Sequence, residues 1–211
     1  MKTDSSPNLP YYYLDANAFV QLIYPHPCTD RVTEIFSHLS SIKVLSTLTL
    51  LETYSTIFRF RHENKIDGNE LDTLKAEIAK TWQPATPRFP GVTKTLIKRV
   101  IQPKHYEEAI KVIEKFGNLR SLDALHFAMA LEYKSYGINL VTGDKELLLS
   151  APKEGFKVTN LNYCRCPVCG NNGIRLIFDR NNGKRIGLKC EHCKQKECDP
   201  CDVSVCEKYA T

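Results

Sequence analysis

Acidic residues stand directly behind short apolar segments of this chain. Asp15 follows the apolar run 11–14, and Asp144 follows the run 138–142 after a single glycine. Such runs alternate with helical periodicity along residues 11–158, which predicts an α/β fold with a central parallel sheet flanked by helices. Because sites in such sheets form beyond the carboxyl ends of the strands, we expect these carboxylates to meet at one edge of the sheet.

The apolar periodicity also predicts the order of the elements. Strands are expected at 11–15, 42–45, 138–142 and 156–158. Helices are expected from Ala16 and over 29–39, 48–62, 69–82, 93–101, 104–116 and 121–135. Helical spacing places Leu48, Leu51, Ser55 and Phe58 on one face of the helix over 48–62. Leu122, Leu125 and Met129, also at helical spacing, are expected to be core residues.

The bulk properties indicate a soluble protein of one core domain plus a smaller unit. The chain has 211 residues, a formal net charge of +5 and 42% hydrophobic residues. It contains no apolar run long enough for a membrane span and no signal-peptide pattern at its start, so we expect a cytoplasmic protein without membrane partners. A change of composition near residue 161 predicts a first domain over 1–161 and a cysteine-rich domain over 162–211.

Four acidic motifs resemble those of PIN-domain nucleases and occur in that family's order. They are Tyr13-Leu14-Asp15-Ala16-Asn17-Ala18, Leu50-Leu51-Glu52, Leu122-Asp123-Ala124-Leu125-His126-Phe127-Ala128 and Val141-Thr142-Gly143-Asp144-Lys145-Glu146-Leu147. The resemblance implies a metal-dependent ribonuclease of the VapC-like kind, whose substrate is RNA. It also implies that Mg²⁺ or Mn²⁺ is held by Asp15, Glu52, Asp123 and Asp144.

The resemblance further implies individual roles for these residues. Asp15 and Asp123 would be direct metal ligands, and Asp144 would bind the metal directly or through water. Glu52 would be a ligand or a general base. Asn17, where many family members have Ser or Thr, and Thr142 would hydrogen-bond the ligands. His126 is expected to lie in the core or behind the ligands.

Each acid also has a purely structural interpretation. Asp15 and Asp144 could cap helices, Asp123 could be a first-turn acid that the helix dipole stabilises, and Glu52 could be an ordinary acid on a helix surface. A phosphatase with an Asp nucleophile is disfavoured, because Asn17 stands where a second Asp would transfer the proton. The alternative function is a non-catalytic RNA- or protein-binding module, in which a zinc ribbon recruits the partner and the PIN fold is a scaffold.

The tail carries eight of the nine cysteines, which predicts zinc rather than disulfides. Two CxxC knuckles flank an expected hairpin over 174–188, a pattern similar to a zinc ribbon held by Cys166, Cys169, Cys190 and Cys193. A second zinc could be held by Cys164, Cys198, Cys201 and Cys206, with His192 as a substitute ligand. Alternatively, Cys198 and Cys201 replace one knuckle, or all four are reduced thiols without a metal.

Basic residues in two regions are candidates for contacts with nucleic acid. Such side chains can follow a phosphate backbone, although a solvated helix face would have the same composition. The candidates are Lys94, Lys98, Arg99, Arg175 and Arg185. Because many PIN nucleases are toxins neutralised by a partner, the resemblance also implies an antitoxin-like protein partner, and a homodimer is left open.

Overall fold

Five parallel strands form the sheet of the N-terminal part. The computed structural model describes residues 9–24, 29–38, 40–82 and 96–161, and the backbone of 163–165, 172–178 and 185–190. The sheet contains β1 (Tyr11–Leu14), β2 (Ile42–Ser46), β3 (Leu96–Arg99), β4 (Asn139–Thr142) and β5 (Lys157–Asn160), in the order β3-β2-β1-β4-β5. The chain winds from β1 to β3 on one side and then returns to β4 on the other. Strand order therefore reverses beside β1, where an open parallel sheet forms a crevice.

Helices connect these strands. In the described part of the chain they are α1 (Ala16–Ile23), α2 (Thr29–Ser37), α3 (Thr47–His62), α4 (Gly68–Trp82), α5 (Pro103–Phe116), α6 (Ser121–Leu131) and α7 (Lys145–Ser150). Gly117 ends α5 in the left-handed conformation with φ 68°, which glycine adopts without steric cost. None of the described helices combines the length and apolar character needed to cross a bilayer.

Neighbouring residues on each central strand belong to different hydrophobic cores. Tyr13 and Leu140 pack on one face with side chains of α5, α6 and α7, including Val112, Phe127 and Leu147. Leu14 and Val141 pack on the other face with α1 to α4, including Phe19, Phe36, Ile57 and Ile78. The sheet is therefore buried on both faces, as parallel sheets generally are. This burial fixes the direction of the residues that follow each strand.

The predicted α/β fold is confirmed, and one predicted element is wrong. Residues 96–99, expected within a helix over 93–101, form β3 and pair in parallel with β2, with Lys43 opposite Leu96 and Ser46 opposite Arg99. The sequence Leu96-Ile97-Lys98-Arg99 fits either period over so short a length. This segment forms a strand because it pairs with the edge of β2, and such tertiary contacts override a weak local preference.

The helix positions singled out by their spacing are only partly buried. Leu51 and Phe58 of α3 are 66% and 49% exposed, whereas the buried residues of this helix are Leu48, Thr49, Thr53 and Ile57. The Thr49 hydroxyl donates to the Leu14 carbonyl at 3.1 Å, which turns that polar side of α3 towards β1. On α6, Leu125 and Met129 are buried as expected, but Leu122 is 45% exposed.

A second, antiparallel sheet follows the first. It has the order β6-β7-β8, with β6 (Tyr163–Arg165), β7 (Asn172–Phe178) and β8 (Arg185–Cys190). Strands β7 and β8 contain the hairpin expected over 174–188. The domain division at residue 161 stays a prediction.

Candidate active site

Asp15 is buried at the crevice beside β1. It caps α1, and its Oδ1 accepts a hydrogen bond from the Ala18 backbone N–H at 2.8 Å. Its Oδ2 accepts from the Thr142 hydroxyl at the end of β4. The residue is 4% exposed, and burial raises the pKa of Asp15 to about 6, although the hydrogen bonds from Thr142 and Ala18 lower it. A carboxylate is therefore held at this position at a cost in free energy.

Thr142 links Asp15 to Asp144. The Thr142 Oγ1 also accepts from the Asp144 backbone N–H at 2.9 Å. Asp144 caps α7, with its Oδ1 accepting from the N–H groups of Glu146 and Leu147 at 2.8 and 2.9 Å. The end of β4 thus orients both carboxylates, and the expected hydrogen bond from Thr142 to an acid is present.

Asp123 contributes a further carboxylate from the first turn of α6. It is partly buried, and burial is the main reason that the pKa of Asp123 is raised. The carboxylates of Asp144 and Glu52 raise it further. Three acids that are distant in sequence therefore act on each other electrostatically at this edge of the sheet.

Glu52 reaches the same region from the second turn of α3, where it is held by a histidine. The His126 Nε2 lies 2.6 Å from the Glu52 Oε2, and the His126 Nδ1 lies 2.8 Å from the Tyr13 hydroxyl oxygen. His126 is buried, as expected, whereas Tyr13 did not stand out in the sequence. A signal was present, since His126 lies three residues after Asp123 and therefore on the same side of α6.

A model of the PIN domain matches residues 12–151, a range that contains the four acids and the helices that orient them. The chain belongs to the PIN-domain family. No curated protein matches the sequence.

Solved structures with a similar fold include the chains of several complexes. The VapBC2 structure from Rickettsia felis, bound to a DNA fragment from its promoter, is 16% identical, with 71% of this chain and 98% of that chain covered and a TM-score of 0.47. FitAcB from Neisseria gonorrhoeae is 17% identical, with 71% and 97% covered and a TM-score of 0.48. PAE2754 from Pyrobaculum aerophilum is 20% identical, with 67% and 85% covered and a TM-score of 0.44. The family assignment does not depend on these distant similarities.

The acids of this PIN domain suit a divalent cation in their chemistry. Carboxylate oxygens are the ligands that Mg²⁺ and Mn²⁺ prefer, and the raised pKa values of Asp15 and Asp123 mark negative charge that a cation would compensate. Among the described residues, no three His, Cys, Asp or Glu side chains form a group that could hold a metal ion. In the described structure Asp15 accepts a hydrogen bond from Thr142, and one carboxylate oxygen of Glu52 pairs with His126. In its chemistry, a set of four carboxylates fits Mg²⁺ or Mn²⁺.

Asn17 lies on the exposed side of α1. Its Oδ1 accepts from the Gln21 side-chain amide at 2.7 Å, so this bond connects two residues of the same helix. The expected hydrogen bond from Asn17 to a ligand carboxylate stays a prediction.

Two of the basic candidates lie on β3 and have partners within the PIN domain. Arg99 binds Glu132 through two hydrogen bonds, from Nε at 2.7 Å and from a terminal nitrogen at 3.0 Å. Lys98 lies over the Trp82 ring, with Nζ 5.6 Å from the ring centroid. Lys94 lies outside the described residues, and only the backbone positions of Arg175 on β7 and Arg185 on β8 are described. Their contacts with nucleic acid stay predictions.

Glu132 joins three basic side chains near β3. It contacts Lys104 and Arg99, and the His105 Nε2 lies 3.0 Å from its Oε1. Burial alone would raise the pKa of Glu132, but the hydrogen bonds from Arg99, Lys104 and His105 lower it to about 2. This network connects β3, α5 and α6 and stabilises the fold rather than the acidic site.

The cysteine positions of the tail are largely outside the described residues. Cys190 ends β8 and Cys164 lies in β6, and only the backbone of each is described. The remaining candidate ligands lie outside the described residues; they are Cys166, Cys169, Cys193, Cys198, Cys201 and Cys206. The zinc ribbon stays a prediction.

Proposed function

We propose that this chain is a metal-dependent endoribonuclease that hydrolyses phosphodiester bonds of RNA. The observation that supports the proposal is that Asp15 and Asp144 follow β1 and β4, the two strands between which strand order reverses, and that the carboxylates of Asp144 and Glu52 act electrostatically on Asp123. A buried carboxylate whose pKa is raised to about 6 is costly in a scaffold and useful in a site.

The side chains of the site would have two roles, which are to bind a cation and to accept a proton from water. Asp15, Glu52, Asp123 and Asp144 would hold Mg²⁺ or Mn²⁺, with Thr142 fixing the carboxylate of Asp15. When bound, such a cation polarises the scissile phosphate and lowers the pKa of a water molecule. Glu52, if it is not a ligand, would accept the proton of the attacking water as general base.

The decisive experiment is a cleavage assay on mixed RNAs with Mg²⁺ or Mn²⁺. Asp15→Asn and Asp123→Asn should each abolish cleavage, because each change removes one carboxylate from a small ligand set. Asp72→Asn is the matched control, since Asp72 is an exposed acid of α4 paired with Lys75 and remote in sequence from the four motifs. Full cleavage by either site variant, or by the wild type in excess chelator, would contradict the proposal.

A non-catalytic binding module is the second candidate. It is favoured by the absence of a metal-binding group among the described side chains and by the capping roles of Asp15 and Asp144. In that case RNA or a protein would bind without cleavage, and the two Asn variants would bind as the wild type does.

The tail and the partners belong to the same proposal. We infer that Cys166, Cys169, Cys190 and Cys193 hold one Zn²⁺, and the antiparallel pairing of β7 with β8 between the two knuckles supports this. The tail would add contacts to RNA or to a protein partner. An antitoxin-like protein and a second copy of this chain are the protein partners that a binding assay should include.

A further inference from the structure

A line of hydrogen-bonded side chains runs from Glu52 into the core. Glu52 is partly exposed, with 24% of its side chain accessible, whereas His126 is 2% exposed and Tyr13 is completely buried. The Glu52 Oε2 lies 2.6 Å from the His126 Nε2, and the His126 Nδ1 lies 2.8 Å from the Tyr13 hydroxyl. These residues come from α3, α6 and β1, so the line joins three elements that border the acidic site.

The direction of the hydrogen bonds follows from the groups at the two ends. An ionised carboxylate can only accept, so the His126 Nε2 must carry a proton and donate to Glu52. In a neutral imidazole, the Nδ1 is then an acceptor, and it accepts a hydrogen bond from the Tyr13 hydroxyl. Burial raises the pKa of Tyr13 above its ordinary value, which keeps this hydroxyl protonated and able to donate.

Glu52 differs from Asp15 and Asp144 in the way it is held. Asp15 and Asp144 cap helices and accept backbone N–H bonds within their own helices. Glu52 lies inside α3, where the backbone N–H groups are used by the helix itself, and its side chain has more rotatable bonds. The hydrogen bond from His126 supplies the orientation that capping gives the other two acids.

We propose that His126 and Tyr13 are positioning residues that hold Glu52 ready for a divalent cation. His126 donates to one carboxylate oxygen of Glu52, which leaves the other for a different partner, and the Tyr13 hydroxyl hydrogen-bonds the second ring nitrogen of His126 and so supports the tautomer that donates to Glu52. This inference rests on the proposed function in that the cation is the one proposed above. A buried phenol and imidazole are also costlier than an apolar pair unless each makes its hydrogen bond, and both do so here.

Substitutions of His126 separate positioning from packing. The side-chain amide of Gln can take the place of the Nε2–H, whereas that of Asn reaches only the Nδ1 position, and Leu fills the space without a donor. We expect His126→Asn and His126→Leu to weaken Mn²⁺ binding by the full-length protein by roughly 10–100-fold, with His126→Gln substantially closer to the wild type. Calorimetric titration with Mn²⁺ measures this, and thermal unfolding identifies any variant that fails to fold.

A second measurement reports the tautomer without metal or activity. The ¹⁵N chemical shifts of the His126 ring in chelator should show a protonated Nε2 and an unprotonated Nδ1. Tyr13→Phe removes the donor to Nδ1 and should reduce this preference while keeping the aromatic ring. A protonated Nδ1 with an unprotonated Nε2 in the wild type would overturn the inference.

The outcomes distinguish this inference from the proposed function. If the wild type cleaves RNA but the Gln, Asn and Leu variants bind Mn²⁺ equally well, the positioning role is wrong and the nuclease proposal stands. If the wild type binds Mn²⁺ with the expected order among the variants but cleaves no RNA, the nuclease proposal fails and the positioning role stands. A folded wild type with no affinity for Mn²⁺ would overturn the positioning role.

Discussion

Asp15→Asn should stabilise the metal-free protein while it removes the proposed activity. Burial raises the pKa of Asp15 from an ordinary 3.8 to about 6, so the folded state binds a proton more tightly than the unfolded state. The stability associated with this proton is fully present below the unfolded pKa and is lost as the pH rises through the folded pKa. At 1.36 kcal/mol for each pKa unit, ionised Asp15 costs about 3 kcal/mol near pH 7.

The Asn side chain avoids this cost because it is never ionised. Its oxygen can still accept from the Ala18 N–H, so the cap of α1 is kept, and its amide group can donate to the Thr142 hydroxyl in place of the reverse bond. The stability gained over the wild type should therefore approach 3 kcal/mol near pH 7 and vanish towards about pH 4, with any cost of the rearranged bond subtracted throughout.

Urea unfolding of both proteins in excess chelator, at several pH values between about 4 and 7, tests this linkage. The difference between the two free energies of unfolding should grow with pH across the interval between the unfolded and folded pKa values. Asp72→Asn provides the control, because its exposed carboxylate escapes desolvation and the corresponding difference should show no such rise. A difference for Asp15→Asn that is flat with pH, or that falls, would refute the argument from burial.

Three further predictions concern other parts of the chain. Glu132→Gln should lower the free energy of unfolding by up to about 3 kcal/mol near pH 7, and the loss should shrink as the pH falls from the ordinary Glu pKa towards 2, which urea unfolding measures. Cys190→Ser should reduce the zinc content found by metal analysis and unfold residues 164–211 while sparing the PIN domain, since a zinc ribbon folds with its metal. Deletion of residues 163–211 should weaken RNA affinity and flatten its salt dependence without loss of cleavage at saturating RNA; an unchanged salt slope would assign the tail to a protein partner or to stability.

Local sequence patterns predicted most of the PIN fold because most of its elements have a distinct period. Strand β1 is a short apolar run with helix α1 directly behind it, and α5 ends at a glycine. The strand β3 escaped prediction because Leu96–Arg99 is too short to show a period, and only its pairing with β2 defines it. The outward face of α3 was missed because the helix packs through Thr49 and Thr53, whose burial depends on hydrogen bonds with backbone carbonyls.

The sequence suggested the acids of the site, but it did not reveal the side chains that hydrogen-bond and orient them. Asp15 and Asp144 stand in local contexts that predict both a strand end and a helix cap, and each indeed caps a helix. Tyr13 and His126 are hydrogen-bonded across 113 positions of the sequence, and Glu52 and His126 across 74. No local period records such contacts, since they arise only when β1, α3 and α6 are packed together.

The structural interpretation of Asp15 as a mere helix cap can be weighed against Ser46 in the same sheet. Ser46 ends β2, is completely buried, and caps α3 by accepting from the Thr49 N–H at 3.0 Å. A neutral hydroxyl therefore performs the same task one strand away, with no charge to bury. Asp15 performs it with a carboxylate whose ionisation costs about 3 kcal/mol near pH 7. Capping explains an oxygen at this position but not its charge, and this difference from Ser46 is an argument in favour of the cation proposed for the site.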